Sequence, residues 1–271
     1  MVWQRPCLWA GIFSKNEDAR ANIPYIFIRE ESNDPMKIKD EERAEEIFND
    51  AWEALSKRSR AKRMRMKFPA KMVWLNGAPG SGKGTNTASV MRVLEISSKP
   101  IVMSSLLKSP EDQSVKASGN LVDDERVVTL VFKELLRREY VRGVVIDGFP
   151  RTRVQAICMK LLAEKLRMSD SNRACSFRVM NFTISRKTSV ARQLKRGRDA
   201  IEHNKLVEDL KKIPVRETDL NEATAEFRYQ TYEDKMRDCI AILREMPEYC
   251  EISTEGSMES VRNEIYRTLS R

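Results

Sequence analysis

The stretch Gly77-Ala78-Pro79-Gly80-Ser81-Gly82-Lys83-Gly84-Thr85 constrains this chain more than any other, because four of its ten glycines fall within eight residues. An apolar run, Met72-Val73-Trp74-Leu75, precedes it, and a helical pattern from Thr87 to Ile96 follows. Strand, glycine loop and helix in that order form the context of a phosphate-binding loop. Glycines let the backbone close around an anion with several N–H groups turned inward. The helix that follows presents its positive end to the same phosphates. Lys83 supplies the point charge for the outer phosphates. An ordinary glycine-rich turn would not need the full spacing from Gly77 to Gly82-Lys83. One departure from the general pattern matters: Gly84 follows the lysine, and Thr85 comes one residue later.

At 271 residues the chain has room for one domain of about 200 residues and an appendage. Its longest apolar runs fall far short of the ~20 residues needed to cross a bilayer, so no membrane span is expected. Near the N-terminus, Arg5 precedes a short apolar run from Pro6 to Phe13, but Glu17 and Asp18 follow and no small-residue cleavage site does. Neither a signal peptide nor a transit peptide is expected. The five cysteines, Cys7, Cys158, Cys175, Cys239 and Cys250, are scattered and odd in number, and His203 is the only histidine. That excludes a disulfide framework and an obvious zinc site, and it fits a cytoplasmic compartment. It also argues against a catalytic triad built on histidine. A net charge of +9 points to anionic partners.

Residues 1–69 differ from the rest and form an N-terminal extension. Ile23-Pro24-Tyr25-Ile26-Phe27-Ile28 suits a strand or docking segment. From Asp40 to Leu55, helical spacing places Ala44, Ile47, Phe48, Ala51, Trp52 and Leu55 on one face. A basic tract then carries Lys57, Arg58, Arg60, Lys62, Arg63, Arg65 and Lys67. The extension holds 14 basic residues against 12 acidic, so it is nearly neutral as a whole and nucleic acid is not the expected partner. From residue 70 to 271 the chain alternates. Strands are expected at 71–76, 100–103, 143–147, 177–184 and 248–252. Helices are expected around 85–97, 123–138, 152–167, 187–196, 221–246 and 257–269. Short apolar strands separated by helices imply an α/β, three-layer P-loop NTPase fold with a five-stranded parallel sheet.

Val144-Val145-Ile146-Asp147 ends a buried-type strand in a carboxylate and is followed by Gly148-Phe149-Pro150-Arg151-Thr152. An acid there can hold magnesium or its water shell near the phosphates, although an acid closing a strand more often caps a helix. Taken together, Gly77 to Thr85 and Asp147-Gly-Phe-Pro-Arg-Thr-Arg-Val-Gln155 resemble the two signatures of the adenylate kinase family of nucleoside monophosphate kinases. The order Gly84-Thr85 is that family's form of the loop. The resemblance covers roughly Lys71 to Leu269.

The resemblance implies roles residue by residue. Gly77, Gly80, Ser81, Gly82, Lys83, Gly84 and Thr85 would bind the ATP phosphates, with Mg2+ held near Asp147 through water. Arg151, beside Gly148, would clamp the acceptor's phosphate, and Gln155 stands where the family reads adenine. Val102-Met103-Ser104-Ser105-Leu106-Leu107-Lys108 replaces the family's acceptor signature; Lys108 keeps the charge but loses the bidentate fork of arginine. Gly119-Asn120-Leu121-Val122 is similar to the segment framing the acceptor base. Arg192 would cover the ATP adenine. Arg196, Arg216 and Arg228 would close over the transferring group from a lid insertion near 197–220, in which Ala200 to Leu210 reads as a small helix. The implied strand order is 2-3-1-4-5, with the acceptor region near 104–140.

The acceptor of such a kinase is a phosphate oxygen already ionised at neutral pH, so no general base is required. The reaction needs two anions held in line and compensation of the migrating charge. The expected activity is reversible phosphoryl transfer from MgATP to a nucleoside monophosphate, AMP in the first place, by a monomer. Two alternatives stay open: another monophosphate or small metabolite as acceptor, or a non-catalytic nucleotide-binding module docking RNA through its basic tract.

Overall fold

A computed structural model describes residues 34–61, 65–117, 122–169 and 175–270. The Ile23–Ile28 segment, Lys62 and Arg63 of the basic tract, and Gly119 to Leu121 lie outside the described residues. The chain's strands are β1 (Lys71–Gly77), β2 (Ile101–Val102), β3 (Val144–Asp147), β4 (Ser176–Thr183) and β5 (Glu248–Ser253). They form one sheet of order β2-β3-β1-β4-β5, parallel at every pairing. β1 occupies the centre, pairing Leu75 with Asp147 on one side and with Met180 on the other. The glycine loop and Asp147 therefore leave the sheet side by side at the C-terminal ends of adjacent strands, where open α/β sheets bind ligands.

Side chains alternate across a strand, so β1 feeds both layers. Met72 and Trp74 enter one core with Val144, Ile146 and Val179, while Val73 and Leu75 enter another with Val145, Met180 and Phe182. The second layer is closed by α2 (Lys83–Val93) and α9 (Met258–Leu269) through Val90, Val261 and Ile265. The first is closed by α5 (Asp124–Leu135), α6 (Arg153–Arg167) and α8 (Glu222–Arg244). α1 (Pro35–Ala61) joins that same core: Ala44, Ile47, Phe48, Ala51 and Leu55 are buried among the side chains of α5 and α6. Phe48 meets Phe132 edge-on, and Trp52 stacks between Phe48 and Phe68. Arg153 on α6 reaches back to Glu41 at 2.9 Å. The apolar stripe spaced for a helix is thus satisfied by the kinase-like layers themselves.

Two short helices, α3 (Met103–Leu106) and α4 (Pro110–Ala117), follow β2. The remaining helix, α7 (Arg186–Leu206), corrects one expectation. It runs unbroken through Gly197, where spacing had suggested a helix to 196 and a separate one from Ala200. Gly197 is buried, and a Cβ there would lie 2.3 Å from the Asp219 carbonyl oxygen. Close packing against the 217–219 turn, rather than helix breaking, accounts for a glycine at that point.

Candidate active site

The loop after β1 is shaped by backbone contacts that leave no space for side chains. Gly80 has φ 74°, and a Cβ added to it would sit 2.8 Å from the Ser189 carbonyl oxygen at the start of α7. Gly77 is as tight, its Cβ position being 2.5 Å from the Phe182 carbonyl oxygen of β4. Ser189 Oγ donates to the Pro79 carbonyl at 2.6 Å, fixing the crest of the loop to α7. Ser81 is wholly buried, with no hydrogen-bond partner for its hydroxyl. Lys83 opens α2 and folds its ammonium onto the loop, donating to the Gly77 and Ala78 carbonyls. Burial pulls the Lys83 ammonium down to about 8, partly opposed by the Asp147 charge, with Arg151, Arg228 and Arg196 pushing the same way as burial. A lysine so close to losing its proton is a cation short of counter-charge.

Arg228 shows the same strain. Burial lowers it to about 10, and Arg216 and Arg196 add to the effect. Lys83 feels the charges of Arg151, Arg196 and Arg228, and Arg228 those of Arg151, Arg196 and Arg216, so cations from five segments between α2 and α8 are linked through these two. The counter-charge inside the cluster is modest. Asp219, 2% exposed, accepts from Arg196 Nε at 2.7 Å and Nη2 at 2.8 Å, and from Arg228 Nη1 at 3.3 Å. It ties Arg196 of α7 to Arg228 of α8. An anion entering this field gains several cations without recruiting any from solvent.

Two adjoining cavities share the loop. A cleft of about 210 Å³ is lined by Gly77, Lys83, Gly148, Arg151 and Arg228, together with Thr231, Tyr232 and Lys235. A second, of about 670 Å³, is lined by Gly80, Gly82, Thr85, Arg192 and Arg196, with Thr254 and Met258 on its far wall. Arg192 crosses it, donating from Nη2 to the Thr254 carbonyl at 2.7 Å. The loop thus separates a small cationic cleft from a larger cavity whose size suits a nucleotide. Gly84 meets no atom within 4 Å of a Cβ position, so protein packing does not require a glycine there.

The residues expected to hold an acceptor are arranged differently from the sequence expectation. Gly148 and Arg151 line the cleft, Arg151 Nε donating to the Gly148 carbonyl at 2.8 Å. Gln155 does not. It is 2% exposed, its Oε1 accepts from the Arg151 backbone N–H at 2.8 Å, and its Nε2 donates to Asp124 Oδ1 at 2.8 Å. Thr152 Oγ1 donates to the same Asp124 oxygen at 2.8 Å, so Gln155 braces the Arg151 loop against α5. Val122 is buried in the main core, while Ser104 and Lys108 stand exposed on and after α3. Sequence reasoning missed Thr231, Tyr232 and Lys235. A signal was present: Arg228, Thr231, Tyr232 and Lys235 are spaced i, i+3, i+4, i+7 and share one face of α8.

Asp147 ends β3 beside Leu75 and Val102, and its charge reaches both Lys83 and Arg151. It is a single carboxylate, which suits Mg2+, an ion usually held by one or two carboxylates plus substrate phosphates and water.

A family model described as an AAA domain matches residues 76–209. An adenylate kinase of Elusimicrobium minutum is 28% identical over 218 residues, covering 74% of this chain and 99% of that protein. One from Deinococcus radiodurans is 29% identical over 177 residues, 63% of this chain and 82% of its own length. The chain is thus similar to adenylate kinases over as much as 74% of its length. A shorter match, to the adenylate kinase of Baumannia cicadellinicola, is 35% identical over 94 residues, and there the alignment spans 32% of this chain and 44% of the relative. The sheet order observed here is the one the family resemblance implies.

Proposed function

We propose that this chain catalyses reversible phosphoryl transfer from MgATP to a nucleoside monophosphate, with AMP as the first candidate. One observation carries the reading: Lys83, Arg151 and Arg228 line a single small cleft at the C-terminal ends of β1 and β3. The larger cavity on the other side of the loop, crossed by Arg192, suits the donor nucleoside. Transfer forms a bond from an acceptor phosphate oxygen to the γ-phosphorus and breaks the bond to the β–γ bridging oxygen. No proton moves, because the acceptor oxygen is already ionised, and so the lack of a histidine or carboxylate base in the cleft lining is no obstacle. The chain's task is positioning and charge compensation. Arg151, braced by Gln155, holds the acceptor; Lys83 and the loop amides hold the donor; Arg196, Arg216 and Arg228 meet the charge that spreads over the migrating group. Mg2+ held by the nucleotide phosphates and, through water, by Asp147 would supply further charge neutralisation.

A second reading changes the acceptor and is favoured by the Gln155 geometry. Its amide is occupied by Asp124 and the Arg151 N–H, so reading adenine would require it to give up one of those bonds. One experiment tests both. Purified chain with MgATP is offered AMP, UMP, CMP, GMP and dTMP in turn, and diphosphate formation is followed. Turnover fastest with AMP supports the first reading, and a preference for another monophosphate supports the second. No diphosphate from any of the five would end both.

A further inference from the structure

The cavity that the proposed reaction leaves unexplained lies at the opposite, N-terminal end of the strands from the glycine loop. It measures about 730 Å³, larger than either cavity around the glycine loop. Its walls come from the last turns of α1, residues 65–67, and the C-terminal end of α5 with the turn that follows. The Ala70 N–H donates to the Val141 carbonyl at 3.0 Å, which pins this region to the N-terminal ends of β1 and β3. The glycine loop leaves the other end of β1, seven residues away, or roughly 20 Å along an extended strand.

Six cations line it: Arg58, Arg65, Lys67, Lys133, Arg137 and Arg138, against one carboxylate, Glu134. Glu134 is already engaged by Arg137 at 2.9 Å and by the Tyr140 hydroxyl at 3.2 Å, and Arg137 has Glu139 at 3.1 Å as well. Among the described residues, no salt bridge reaches the other five cations. Basic residues at helix C-termini are ordinary, since each end carries about half a negative charge. The C-terminal ends of α1 and α5 together account for about one of these five. The excess converges on a concave space instead of dispersing over a convex surface. The floor between the charges is aliphatic, from Leu55, Met66, Leu136 and Val141.

We propose that this cavity is a second anion site, separate from the active site, for a compact ligand carrying several phosphates. Three features select that class. Arg58, Arg65 and Arg138 offer planar forks suited to phosphate oxygens. The volume falls within the range of small-molecule sites, about 300–1,000 Å³. Among the described residues no aromatic ring lines the cavity, and an aromatic ring is the stacking platform on which single-stranded nucleic acid is usually held. Arg58, Arg65 and Lys67 of the basic tract thus share a concavity with the end of α5 rather than forming a strip for an extended polymer.

Calorimetric titration of the full chain with inorganic tripolyphosphate tests this. The wild type should show two binding events, one at each site. Lys83→Met should remove the event at the glycine loop and keep the other. The combined variant Arg65→Gln, Lys67→Gln, Arg138→Gln should weaken the second event by roughly 100-fold or more, as expected for losing several charge-assisted hydrogen bonds. All three positions are exposed, and the variant should keep the wild-type melting temperature and phosphotransfer rate, which separates a lost site from a lost fold. A single event abolished by Lys83→Met, or a second event untouched by the triple variant, overturns the proposal. So does a single-stranded RNA oligonucleotide that binds in the triple-variant-sensitive manner while tripolyphosphate does not.

Discussion

Replacing Lys83 by methionine should stabilise the nucleotide-free protein while removing its activity. The Lys83 ammonium falls from 10.5 to about 8 on folding, chiefly through burial. That fall corresponds to about 3 kcal/mol of cost for keeping the charge in the folded state at pH 7. Its two hydrogen bonds, to the Gly77 and Ala78 carbonyls, return about 1 kcal/mol each. Methionine fills nearly the same volume without charge, so the net gain is about 1 kcal/mol, or about 2–4 °C in melting temperature for a domain of this size. The pH dependence gives the sharper test. Between about pH 8 and 10.5 the unfolded chain holds this proton and the folded one does not. Stability from this source therefore rises with pH across that window in the wild type and not in the variant. The variant's advantage should be full at pH 7, vanish near about pH 9 and reverse by about 2 kcal/mol as pH approaches 10.5. Saturating MgATP should reverse the order at pH 7, since 100-fold excess over Kd adds about 2.7 kcal/mol to whichever protein binds it. Turnover should drop by about 10²–10³-fold. Thermal melts of both proteins from pH 7 to 10.5 decide the matter. A variant that melts below the wild type at pH 7, or a gap that does not change with pH, would refute the reasoning.

Other perturbations test the parts around the site. Gly197→Ala forces a Cβ into the Asp219 carbonyl, so α7 must move from the 217–219 turn; a loss of about 1–3 kcal/mol in a denaturant titration and slower turnover are expected. If stability and rate both stay at wild-type values, that packing is wrong. Phe48→Ala removes a fully buried ring from the core shared by α1, α5 and α6, and should cost about 3–5 kcal/mol of a single cooperative transition. A cost below about 1 kcal/mol would show that α1 is not held where the structure places it. Asp124→Ala frees Gln155 and Thr152 and loosens the Arg151 loop. It should raise the acceptor KM by roughly tenfold and leave the MgATP KM unchanged, as steady-state kinetics would show. Equal changes in both would remove Asp124 from the acceptor side.

Local chemistry made much of the fold legible. The strands are short, most are apolar, and each is separated from the next by a helical stretch, so a parallel sheet follows from that alternation. The observed strands differ from the expected bounds by at most one residue at either end, where hydrogen bonding fades gradually. The glycine loop was legible because a backbone that encloses an anion admits few residue types, and Gly77 and Gly80 have no room for a side chain. The run of α7 through Gly197 was not legible because a glycine that weakens an isolated helix also permits close approach, and sequence alone does not say which demand applies.

The sequence by itself determined the loop, the acid at the end of β3, Arg151 and the alternation that builds the sheet, since these depend on neighbours a few residues away. Tertiary structure decided what those side chains face. It turned Gln155 inward to Asp124 and carried the i, i+3, i+4, i+7 face of α8 into the cleft. It set Asp219 between Arg196 and Arg228, and it closed the basic end of α1 against α5 into a cavity. The physical reason is range. Backbone conformation is governed by contacts close along the chain, whereas burial and charge depend on segments that meet only after folding.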